Sequence, residues 1–105
     1  MGDVSKFQLE KLQGGSAIRV RAHGHSMSGR IEDGSLVEIR PLLQDEEVVP
    51  GDIVLCRLRG NEILHLVKAV RGSDQYLIAN NHGHVNGWVS RGAIHGKFAG
   101  VVDEP

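Results

Sequence analysis

A chain of 105 residues has room for one compact domain, and a domain of that size buries roughly two-thirds of its extended surface, so one apolar core suffices without disulfide or metal support. Twelve Lys and Arg against 13 Asp and Glu leave a net charge of -1, which removes any attraction to phosphate backbones by bulk charge; nucleic acid is not an expected partner. The single cysteine, Cys56, excludes an internal disulfide, and no run approaches the ~20 apolar residues of a membrane span.

Cys56 sits in the apolar run Ile53-Val54-Leu55-Cys56 and reads as a buried, unreactive thiol. The N-terminus lacks the apolar core of a secretory signal, so a reducing, cytoplasmic setting is expected. Residues 1–16 read as an N-terminal arm or short helix: Phe7, Leu9 and Leu12 trace a weak helical stripe that Gly14-Gly15 ends. Residues 17–105 are expected to form the domain proper.

Ala17 to Ala22 alternates apolar and basic residues, predicting a strand with Ile18, Val20 and Ala22 inward and Arg19 and Arg21 outward. It leads into Gly24-His25-Ser26-Met27-Ser28-Gly29, the stretch on which the functional reading rests. A serine in a glycine-flanked bend exposes its hydroxyl beside backbone N–H groups, the minimum equipment for a nucleophile next to an oxyanion site. After the Asp33-Gly34 turn, Ser35 to Arg40 is a second strand stopped by Pro41, and Gln44 to Glu47 reads as a solvated acidic loop.

Val49-Pro50-Gly51-Asp52 is a turn, and Ile53 to Leu58 is a strand apolar enough to be covered on both faces. Arg59-Gly60-Asn61 closes a tight hairpin into Glu62 to Val70, which places His65 on a central strand. Arg71 to Asp74 turns into the strand Gln75 to Ala79. Asn80 to Gly87 is loop by composition, with Trp88 expected to cap the core. Ala93 to Val102 is the last strand, with Gly96 and Gly100 as bends; Ala99-Gly100 reads as a small residue beside the second of them. Short strands separated by Gly-rich turns indicate a mainly β single domain, a coiled antiparallel sheet or partly open barrel.

The ordered set Gly24-His25-Ser26-Met27, Asp33-Gly34-Ser35-Leu36-Val37, Pro50-Gly51-Asp52-Ile53-Val54, Leu77-Ile78-Ala79-Asn80-Asn81 and Ile94-His95-Gly96-Lys97 resembles the LexA and type I signal peptidase superfamily, over roughly residues 17–102. The resemblance implies a serine peptidase acting on an extended peptide or protein substrate without a cofactor, with Ser26 matching the nucleophile. The family's lysine position falls on His65, and the endoplasmic-reticulum and archaeal branch of signal peptidases is similar in carrying histidine there. A lysine must lose several pKa units before it accepts a proton at neutral pH, whereas histidine titrates at roughly 6.5 and is the less demanding base. The N–H groups of Ser26 and His25 are the expected oxyanion donors, and Gly24 and Met27 the expected substrate contacts. The acidic residue that this branch supplies after the base is missing, since the matching region reads Asn80-Asn81 and Asn86, so no group is assigned to orient the imidazole.

Lys68, three residues along the strand from His65, faces away from it unless a bulge intervenes. His23-Gly24-His25 and His82-Gly83-His84 read as solvated loop histidines rather than a metal site, because His-x-His without companion ligands is weakly diagnostic. The alternative to an enzyme is a non-catalytic member of the same fold that binds a peptide, a protein or a metal through His23, His25, His82 and His84. A homodimer is left open.

Overall fold

The computed structural model describes residues 4–102. An α-helix, α1 (Lys6–Gln13), starts at a reciprocal cap: the Ser5 hydroxyl accepts from the Gln8 N–H, and the Gln8 side chain accepts from the Ser5 N–H. Its Leu12 is buried, and Gln8 Nε2 donates to the Arg19 carbonyl at 3.0 Å, so the helix is packed onto the sheet.

Seven strands follow: β1 (Ile18–Arg21), β2 (Leu36–Pro41), β3 (Ile53–Leu58), β4 (Asn61–Arg71), β5 (Gln75–Ala79), β6 (Val85–Ser90) and β7 (Ile94–Val101). All pairings are antiparallel, in the order β1-β2-β7-β3-β4-β5-β6, and the sheet curls into a half-barrel. The mainly β architecture expected from the sequence is the one observed. β3 and β4 are joined by the two residues Arg59 and Gly60, both at positive φ (50° and 81°), the mirror-image turn that matches strand twist.

β3 shows how the core is divided. Ile53 and Leu55 join a cluster with Ile18, Val20, Val37, Ile39 and Leu64, which α1 and the Met27 and Ile31 side chains cover. Val54 and Cys56 point the other way, into a second cluster with Val48, Val67, Tyr76, Ile78, Val89 and Ile94. The strand is thus buried on both faces, and burial raises the Cys56 thiol pKa to about 12, leaving it unreactive.

Three segments depart from the sequence expectations. Glu46 is not a solvated loop carboxylate: it forms a bidentate pair with Arg40 and lies 3.1 Å from Lys97 Nζ, which is also 2.9 Å from Asp52 Oδ2. Arg91 fastens the same loop by donating to the carbonyls of Leu43, Gln44 and Glu46. The run read as loop up to Gly87 becomes the edge strand β6 from Val85 onward. Trp88 does not cap the core but points outward, where the Arg71 guanidinium stacks 4.2 Å from its ring centre.

Candidate active site

The bend between β1 and β2 is held from within. The Ser28 N–H donates to the His25 carbonyl at 3.1 Å, and the N–H groups of Arg30 and Ile31 donate to the Met27 carbonyl at 3.0 and 2.8 Å. The Gly24 N–H donates to Asp33 Oδ1 at 2.8 Å, and the Gly29 N–H donates to Glu32 Oε1 at 2.9 Å. Met27 drives its side chain into the first core cluster, which pins the bend to the sheet and leaves the neighbouring Ser26 side chain half-buried at the surface.

Ser26 Oγ lies 3.1 Å from His65 Nε2. The two residues are 39 apart in sequence and meet because the bend folds back over β4. On the far side of the ring, His65 Nδ1 is 2.7 Å from Asn86 Oδ1. A carbonyl oxygen only accepts, so Nδ1 carries the proton and Nε2 presents its lone pair to the serine hydroxyl. Burial lowers the His65 pKa below its ordinary 6.5, and the Asn86 hydrogen bond offsets part of that shift; the ring is neutral at pH 7.

Asn86 reaches the ring through a local irregularity. Val85 pairs with Ala79 and Gly87 with Ile78, so Asn86 is the extra residue of a β-bulge, the device that re-aims a side chain out of the regular alternation. β4 has its own bulge at Lys68, between Val67 paired to Ile78 and Ala69 paired to Leu77. Lys68 is nevertheless exposed, and the side-chain partner of the Ser26 hydroxyl is His65.

A small apolar cavity of about 20 Å3, room for one water-sized group, opens beside Ser26 between Ala22, Gly24, Met27, Ile31 and Leu64. Gly24 and Met27, the expected substrate contacts, therefore both line it. Of the four loop histidines, His82 donates from Nε2 to the His25 carbonyl at 2.8 Å, and among the described residues no group of three His, Cys, Asp or Glu side chains is arranged to hold a metal.

A family model described as Peptidase S24-like matches residues 4–99, nearly the whole chain. The chain belongs to the Peptidase S24-like family. Neither the curated proteins nor the solved structures compared with it gave a match. In this Peptidase S24-like chain, sequence reasoning missed Asn86 and Asn81. Asn86 carries no sequence signal, because an amide is not the carboxylate that the resembling branch supplies and because a bulge has no composition of its own. Asn81 had only its place in an Asn-rich loop to mark it, yet its N–H donates to the Ser26 carbonyl and its Nδ2 to the Ser28 carbonyl, at 2.8 and 2.7 Å. Among the described residues, no helix of the Peptidase S24-like chain is long and apolar enough to cross a membrane.

Proposed function

We propose that the chain is a serine peptidase that cleaves an extended peptide, with Ser26 as nucleophile, His65 as general base and Asn86 holding the imidazole. The observation that carries this reading is the line from Ser26 Oγ through His65 to Asn86, with contacts of 3.1 and 2.7 Å. Ser26 Oγ attacks the scissile carbonyl carbon while its proton passes to His65 Nε2. The tetrahedral oxyanion is met by the N–H of Ser26, with the His25 N–H as the second expected donor. Collapse breaks the C–N bond, the proton on Nε2 goes to the departing amine, and water activated by the same nitrogen releases the acid product. The cavity beside Ser26 suits a small side chain next to the scissile bond.

The Asn86 amide orients the imidazolium but adds no negative charge to stabilise it, and that single feature favours the second reading, a peptide-binding member of the family that does not turn over. Incubation with a fluorophosphonate and with a peptide library separates the two. A covalent adduct or cleavage that is lost in Ser26→Ala and His65→Ala supports the peptidase; the absence of both in the unaltered protein overturns it.

A further inference from the structure

We infer that Asn81 and His82 are positioning residues that set the direction of the oxyanion N–H groups, an inference that rests on reading Ser26 as the nucleophile. Three carbonyls of the bend are taken by this one neighbouring loop. His82 Nε2 donates to His25 O at 2.8 Å, the Asn81 N–H to Ser26 O at 2.8 Å, and Asn81 Nδ2 to Ser28 O at 2.7 Å. Asn81 Oδ1 in turn accepts from Arg30 Nε at 2.8 Å, so its amide is held at both ends and cannot turn over.

The loop is itself tied by its own hydrogen bonds. Asn80 Oδ1 accepts from the N–H groups of both His82 and His84 at 2.9 Å, and the Asn80 N–H donates to the His84 carbonyl at 2.9 Å. Gly29 lets the loop approach, because a Cβ there would come within 3.2 Å of Asn81 Nδ2, and its φ of +95° disfavours any side chain.

The consequence follows from peptide geometry. In a trans peptide the C=O and N–H point in opposite directions, and there is no cis bond among the described residues. With His25 O and Ser26 O locked toward the loop, the N–H of Ser26 and the N–H of Met27 point away from it. Among the described residues neither N–H is taken by an acceptor, and no residue of the loop lines the cavity beside Ser26. The clamp thus presents the Ser26 N–H, with the Met27 N–H rather than the His25 N–H as its companion, to the space a tetrahedral intermediate needs, before any substrate arrives; the His25 N–H follows the Gly24 carbonyl, which the loop does not hold. A donor set in place beforehand acts on the transition state more than on bound substrate, so its loss falls on kcat rather than KM.

The test compares Asn81→Ala, His82→Ala and His82→Gln with the unaltered protein. The readouts are the rate of Ser26 modification by a fluorophosphonate, inhibition by a peptide aldehyde, and non-covalent binding of the same peptide as an amide. We expect Asn81→Ala and His82→Ala to slow modification and weaken the aldehyde by about tenfold or more, against the 100-fold to 1,000-fold attached to a whole oxyanion donor. Peptide-amide binding stays unchanged, and His82→Gln, which keeps an N–H at similar reach, recovers the rate. Modification within twofold of the unaltered protein in both alanine variants overturns the inference while leaving the peptidase reading intact. A loss matched by an equal loss of peptide-amide binding also overturns it. Failure of the unaltered protein to react overturns both. His82 is exposed, so its variants keep the test decisive if Asn81→Ala does not fold.

Discussion

At the scale of single residues, the proposed peptidase chemistry depends on a neutral, oriented imidazole. His65 is buried to 8 % exposure, and burial holds its pKa below 6.5. The rate of Ser26 modification should therefore be half-maximal below pH 6.5 and flat through neutrality, whereas a lysine base would give a rate still rising in the alkaline range. Asn86→Asp places a negative charge against Nδ1 and should move that midpoint upward by about one unit or more, measured in the same pH series. The contact between Ser26 and His65 was legible in the sequence because Ser26 lies in a glycine-flanked bend and His65 falls where the resembling family carries its lysine. Asn86 was not, because its aim is set by one unpaired residue between Val85 and Gly87, and the residue type alone does not announce it.

At the scale of elements, β7 is the strand that closes the sheet between β2 and β3, and it does so under tight contact. A Cβ on Gly96 would collide with the Arg40 carbonyl and come within 3.0 Å of Ile39 Cγ2. Gly96→Ala should cost about 1–3 kcal/mol, the usual penalty of forcing atoms into a packed site, read as a lower urea midpoint. Gly96 was expected to mark a bend; its actual constraint is this close approach, which depends on a strand more than fifty residues earlier in the chain and so leaves no local trace. β3 and β4 were legible because an apolar run and an Arg-Gly turn are local signals. β6 was not, because an edge strand carrying Asn86, Gly87 and Ser90 has the composition of a loop.

At the scale of the whole molecule, the two-sided core explains the mainly β outcome, while the polar seam at Arg40, Glu46, Asp52 and Lys97 shapes the response to pH. The hydrogen bond from Arg40 holds the Glu46 carboxyl far below its ordinary 4.5. Burial alone would lower Lys97, but its hydrogen bonds to Asp52 and Glu46 outweigh that and raise it above its ordinary 10.5. The depressed Glu46 contributes stability above pH 4.5 that is lost as pH falls toward its folded value, and the raised Lys97 contributes stability below pH 10.5 that is lost as pH rises through its folded value. His65, lowered from 6.5, begins the acid-side loss earlier, as the pH drops through that value. Urea midpoints against pH should show a plateau from about pH 7 to about pH 10, and Lys97→Met should flatten the alkaline limb. None of this seam was visible in the sequence, where Gln44 to Glu47 carried only the sign of its charge.

The most direct measurement is the rate at which a fluorophosphonate labels the protein at pH 7.5, with the labelled residue located by peptide mass. A single adduct on Ser26, slowed about 100-fold or more by His65→Ala and unaffected by Lys68→Ala, is the predicted result. Labelling at another residue, or at Ser26 with a rate indifferent to His65, would contradict the account.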